Sequence, residues 1–136
     1  MITGSCVCGQ LHYEADETQV IGAMHCHCSD CRKATGSGKA SIVNFPKTAI
    51  KLSGNYKVYE TIGTQGSHIK RGFCPDCGSQ MITLIDEMPE IMFLKAGTMD
   101  DSDWITFGAN LWAKSAQKWD PIDASLMSFD ENPVTS

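Results

Sequence analysis

Cys26-His27-Cys28-Ser29-Asp30-Cys31 puts three thiols within six residues, and the reading of this stretch decides the reading of the chain. Two further cysteine pairs flank it at a distance, Cys6-Val7-Cys8 before it and Cys74-Pro75-Asp76-Cys77 after it. Seven cysteines cannot all pair as disulfides within one chain. A disulfide across CxC or CxxC also closes so small a loop that it restrains the unfolded chain little. A tetrahedral zinc ion, in contrast, takes two thiolates from each of two such knuckles, at about 2.3 Å per Zn–S bond. The spacing points to metal.

Bulk properties set the frame around these clusters. A length of 136 residues suits one domain, and 42% hydrophobic with 20% charged residues fits a globular chain rather than a disordered one. Eleven Lys and Arg against sixteen Asp and Glu give a formal charge of −5. With no basic stripe to track a phosphate backbone, no nucleic-acid partner is expected. The chain has no apolar run long enough to span a membrane, and Met1 to Gly9 lacks the segments of a secretory signal. The expectation is a soluble, cytoplasmic protein with no membrane partner.

Outward from the cysteines, the pattern reads as short strands. Gln10 to Ala15 alternates polar and apolar with period two, and Val20 to Met24 is a short apolar run leading into the central cluster. Lys39 to Phe45, Ala49 to Leu52, Tyr56 to Thr61, His68 to Phe73, Gln80 to Ile85, Ile91 to Ala96 and Asn110 to Ala113 are further strand candidates, separated by glycines and prolines. One short helix is expected, from about Asp30 to Ala34, with Ser29 as N-cap and Gly36 ending it. The result is a mainly β chain of one domain, residues 1–136, with its core over about 4–120 and a frayed tail over 121–136.

Structural zinc sites have four protein ligands, whereas catalytic ones keep a position open. Seven thiolates divide into four and three. Cys26, Cys28 and Cys31 can grip one ion as a tripod, leaving Cys6, Cys8, Cys74 and Cys77 to close a second site, although other pairings of the knuckles satisfy the same count. The cofactor expectation is two Zn²⁺ per chain. Arg32, Lys33, Lys39, Lys70 and Arg71 lie beside the knuckles in sequence and are candidates for meeting an anionic substrate. Trp104, Trp112, Trp119 and Phe107 are either core or the lining of a cleft.

At this point the residues resemble a known family. Gly4-Ser5-Cys6-Val7-Cys8-Gly9 with Leu11 and Tyr13, then Cys26 to Lys33 with Gly36-Ser37, then Phe73-Cys74-Pro75-Asp76-Cys77-Gly78-Ser79, are similar to the glutathione-dependent formaldehyde-activating enzymes, a family that includes centromere protein V-like proteins. Gly97-Thr98-Met99-Asp100-Asp101 is similar to a weaker family segment. The resemblance implies a small, tent-like β fold of facing antiparallel sheets. It further implies that Cys6, Cys8, Cys74 and Cys77 hold a structural zinc and that Cys26, Cys28 and Cys31 hold a catalytic one. The implied activity is that of a carbon–sulfur lyase joining a small-molecule thiol, glutathione or a relative, to formaldehyde or a related aldehyde.

The mechanism expected on that basis has the thiol enter the fourth corner of the three-cysteine site, ionise, and add to the aldehyde carbon. Asp30, His25 and His27 are the nearest candidates for proton handling. His27, between two cysteines on an extended segment, is expected to point away from the metal because strand side chains alternate faces. The competing reading is a non-catalytic zinc module for protein interaction, in which His25, His27 or an acidic residue closes the second site.

Overall fold

The computed structural model describes residues 1–133. In chain order the strands are β1 (Ile2–Ser5), β2 (His12–Ala15), β3 (Gly22–Cys26), β4 (Ala40–Pro46), β5 (Ile50–Ser53), β6 (Lys57–Ile62), β7 (His68–Phe73), β8 (Gln80–Ile85), β9 (Ile91–Lys95), β10 (Ala109–Leu111) and β11 (Met127–Ser128), with one α-helix, α1 (Ser29–Thr35), after β3. The mainly β architecture is the expected one. The chain divides into two compact units, Met1–Ile21 with Val43–Trp104, and Gly22–Ile42 with the stretch from Ile105 onward.

The first unit contains the β1-β2-β5 sheet and the run β9-β8-β7-β6. Two of its hairpins are closed by cysteine knuckles rather than by ordinary turns. Between β1 and β2 the Cys6 N–H bonds to the Leu11 carbonyl at 2.9 Å, and the Gly9 N–H to the Cys6 carbonyl at 3.1 Å. Between β7 and β8 the Cys74 N–H bonds to the Ser79 carbonyl at 2.9 Å, and the Gly78 N–H to the Cys74 carbonyl at 2.8 Å. Gly9 and Gly78 have φ of 83° and 79°, a left-handed conformation that side chains with a Cβ resist. A register shift between Gly72 and Phe73 lies just before Cys74, the kind of local bend that re-aims the end of a strand.

Alternation in β2 works as read: Tyr13 and Ala15 are buried, while His12 and Glu14 face out. Leu11, Phe45 and Leu94 are fully buried in the same unit, each contributing about 1.5–3 kcal/mol relative to exposure. The Gly97–Asp101 segment ties β1 into this unit. Thr98 donates to the Lys95 carbonyl at 2.7 Å, so at the 2.8 Å Tyr13 Oη–Thr98 Oγ1 contact the tyrosine is the donor. Burial pushes the Tyr13 phenol up to about 12. Thr3 Oγ1 donates to Asp100 Oδ2 at 2.6 Å, and the Asp100 N–H returns to the Thr3 carbonyl at 2.9 Å.

On the surface of this unit His68 Nδ1 meets Glu87 Oε1 at 2.7 Å. The Glu87 carboxylate, by hydrogen bond and charge, holds His68 above its ordinary 6.5, and the same hydrogen bond holds Glu87 below 4.5. The raised imidazole stabilises the fold at low pH and loses that effect as pH rises through its folded value; the lowered carboxylate loses its effect as pH falls through its own. The pair therefore contributes between those two folded values. Titration followed by NMR should show His68 ionising above 6.5 and returning toward that value in Glu87→Gln; identical curves for the two proteins would contradict the pairing.

The second unit contains the run β11-β10-β3-β4, with β4 passing from this unit into the first at Ile42–Val43. β10 pairs parallel with both β3 and β11, a departure from the all-antiparallel expectation. Strands far apart in sequence are free of hairpin geometry, and the stretch between β10 and β11 is long enough for a parallel crossover. Over the described part of the stretch expected as a tail, the Phe129 N–H bonds to the Asn110 carbonyl at 2.9 Å, the Ala113 N–H to the Phe129 carbonyl at 2.9 Å, and Lys114 to Glu131 at 2.9 Å. Residues 134–136 of that stretch lie outside the described residues. Helix α1 begins at Ser29 with Cys28, not Ser29, as N-cap, and ends at Gly36 with φ of 72°.

Candidate metal centres

The first unit gathers Cys6, Cys8, Cys74 and Cys77, whose sulfurs all lie within 4.8 Å of one another. Cys6 Sγ is 3.5 Å from Cys8 Sγ, and Cys8 Sγ is 3.8 Å from Cys74 Sγ. Four sulfurs at tetrahedral corners, each bonded to one zinc, would be about 3.8 Å apart. A disulfide would bring two of them to about 2.05 Å, and none of the seven cysteines is in a disulfide. The donor set fits a soft divalent ion of the zinc type.

Hydrogen-bond donors surround this cluster. The Leu11 N–H approaches Cys6 Sγ at 3.4 Å, Gln10 Nε2 donates to Cys74 Sγ at 3.1 Å, and Ser79 Oγ lies 3.2 Å from Cys77 Sγ. The Ser79 hydroxyl and then the Cys8 backbone N–H bring the Cys77 thiol down to about 5. At Cys8 the Gln10 N–H acts in the same direction, but the Cys6 sulfur and burial outweigh it and push the thiol up to about 12. Without a cation the sulfurs compete for charge; a divalent ion lets all of them ionise.

The second unit gathers Cys26, Cys28 and Cys31, again with all sulfurs within 4.8 Å. Cys26 is the buried last residue of β3, Cys28 caps α1 by accepting the Cys31 N–H at 3.2 Å, and Cys31 lies in the first turn. The sulfurs of Cys28 and Cys31, then burial, drive the Cys26 thiol strongly upward. Three thiolates so close need a positive charge among them, and the donor set again fits a thiophilic ion.

No histidine or carboxylate joins either group among the described residues. His27 is fully buried, and both of its ring nitrogens lack a partner there. His25 is held by Ser41 Oγ at 2.7 Å from Nδ1 and by stacking on Phe107 at 4.1 Å between ring centroids. Burial and then the Lys39 ammonium hold His25 below the usual imidazole range, and burial does the same to His27. Asp30 is exposed in the first turn of α1.

The cations read from the sequence fall in both units. Lys70 is paired with Asp86 at 3.1 Å and Glu60 at 3.5 Å, and buried Arg71 donates to Thr61 Oγ1 at 2.9 Å, all within the first unit. Lys39 is paired with Asp120 at 3.0 Å. Arg32 and Lys33 occupy the last turn of α1, where they complement the helix dipole. Trp104 donates to the Asp101 carbonyl at 3.0 Å, and Trp112, at φ of 55°, donates to Asn132 Oδ1 at 2.9 Å. Trp119 is 67% exposed. Sequence reasoning passed over Gln10 and Ser79; the available signal was a hydrogen-bonding residue two places after a cysteine in Cys8-Gly9-Gln10 and Cys77-Gly78-Ser79.

Fold and clusters together define a mainly β protein with two thiol clusters able to hold metal ions. The profile described as glutathione-dependent formaldehyde-activating enzyme matches residues 1–115, and the chain belongs to that enzyme family. A Halomonas elongata protein, named provisionally as a glutathione-dependent formaldehyde-activating enzyme, is 26% identical over 112 residues, covering 74% of this chain and 66% of the relative. The match thus spans just under two thirds of that relative's length. A crystal structure of a Rhodobacter sphaeroides protein shares the fold with a TM-score of 0.56 and 24% identity, over 72% of this chain and 87% of that one. No helix among the described residues is long and apolar enough to cross a membrane.

Proposed function

We propose that this chain is a zinc-dependent carbon–sulfur lyase that joins a glutathione-like thiol to formaldehyde or a related small aldehyde. The observation that carries the reading is the cluster of Cys26, Cys28 and Cys31 with no fourth His, Cys, Asp or Glu donor among the described residues, the arrangement of a site open to an outside ligand. Cys6, Cys8, Cys74 and Cys77 hold the structural ion in this reading. Seven cysteines with no disulfide among them suit a reducing, cytoplasmic setting.

A zinc ion bound by the three thiolates supplies a lowered thiol pKa and a fixed position for the incoming sulfur. Cys26 fixes one thiolate at the end of a strand, and Cys28 and Cys31 fix two more on the first turn of α1. In the reaction the S–H bond breaks, an S–C bond forms to the carbonyl carbon, and the carbonyl oxygen takes up a proton, so no net proton is exchanged. We assign proton exchange to Asp30, which is exposed beside Cys31; His25 is held by Ser41 and Phe107, and His27 is fully buried. Native mass spectrometry should count two zinc ions per chain, and exchange NMR should show faster thiol–formaldehyde equilibration than the buffer reaction. A two-zinc protein that neither binds glutathione nor accelerates the exchange would instead be the non-catalytic module.

A further inference from the structure

Gln10 and Ser79 occupy matching places, each two residues after a cysteine and each following a glycine in the left-handed conformation. The Val7 N–H donates to Ser79 Oγ at 3.1 Å, and once Cys77 is ionised the only proton available for the 3.2 Å contact with Cys77 Sγ is that of the hydroxyl. The Asn55 N–H at 3.0 Å requires an acceptor and so sets Gln10 Oε1 toward it. The Gln10 amide nitrogen then has two protons, one for the Asn55 carbonyl at 2.7 Å and one for Cys74 Sγ at 3.1 Å. Both side chains are thus committed as donors to sulfur.

We infer that Gln10 and Ser79 are positioning residues of the four-thiolate centre, spreading the charge of Cys74 and Cys77 and slowing loss of the metal. The inference rests on the reading of this cluster as a zinc site. Hydrogen bonds to charged groups are the stronger class, and outer partners of this type typically change metal affinity about 10–100-fold. Gln10 also fastens the centre to the turn before β6, because its amide closes a two-way pair with the backbone of Asn55. Donors delivered from a second loop hold a sulfur in place even when its own knuckle breathes.

The test uses the full-length zinc protein with Ser79→Ala, Ser79→Thr and Gln10→Met. Zinc transfer to a chromophoric chelator gives the release rate, and the sulfur-to-cobalt charge-transfer band of the Co²⁺-loaded protein reports the charge on the thiolates. Ser79→Ala and Gln10→Met should each release the four-thiolate zinc about 10–100-fold faster and shift the cobalt band to lower energy. Ser79→Thr, which keeps the hydroxyl, should restore both readouts. Release within twofold of the parent in both variants, or Ser79→Thr behaving as Ser79→Ala, would overturn the inference while leaving the zinc reading intact. A parent protein that holds no metal on these four cysteines would remove the zinc reading and the inference with it.

Discussion

Cys74→Ser is expected to unfold the first unit at room temperature. Cys74 is fully buried, its sulfur receives the Gln10 amide, and it lies in the knuckle between β7 and β8. Through the proposed ion it fastens this hairpin to the one formed by β1 and β2. A structural zinc contributes on the order of 10 kcal/mol to folding of a small domain, while the whole net stability of a domain is about 5–15 kcal/mol. Loss of the clip therefore removes most of the margin. Far-UV circular dichroism with urea titration measures it, and excess chelator on the parent protein should reproduce the effect. A Cys74→Ser protein with the parent's urea midpoint would show that the hairpins hold without metal.

Cys28→Ser should separate catalysis from stability. Serine is a good N-cap, so the substitution keeps an acceptor for the Cys31 N–H, now made by the sulfur at 3.2 Å, while removing one of three thiolates from the open cluster. Native mass spectrometry should show one zinc where the parent has two, the urea midpoint should stay near that of the parent, and thiol–aldehyde exchange should fall at least about 100-fold, toward the buffer rate, as for loss of a catalytic metal. Full activity with one zinc remaining would end the proposal that this cluster performs the reaction.

Much of this was legible in the sequence because it depends on local pattern. β7 and β8 fall on the residues read as His68–Phe73 and Gln80–Ile85, runs set off by turn residues on either side. The seven cysteines gather into the two groups that knuckle spacing suggested. β1 was not read, since Ile2-Thr3-Gly4-Ser5 is short and carries a glycine, and β11 is two residues long. Its pairing depends on β10 lying alongside, which no local signal encodes. The same reason explains the cations. Lys70 and Arg71 adjoin a knuckle in sequence, but cross-strand neighbours decide their partners: Glu60 lies opposite Lys70, and Thr61 reaches Arg71 from β6. The Gln10–Cys74 bond joins residues 64 positions apart, and only the folded register brings them together.

The use of cysteine knuckles as hairpin tips also bears on how the chain is made. The first knuckle leaves the ribosome well before the second, since Cys6 and Cys74 are 68 positions apart, an interval of about 3–14 s at typical elongation rates of about 5–20 residues per second. Cys26, Cys28 and Cys31 emerge as a complete set during that wait. The nascent chain thus presents its three-sulfur group complete before the four-sulfur group can assemble.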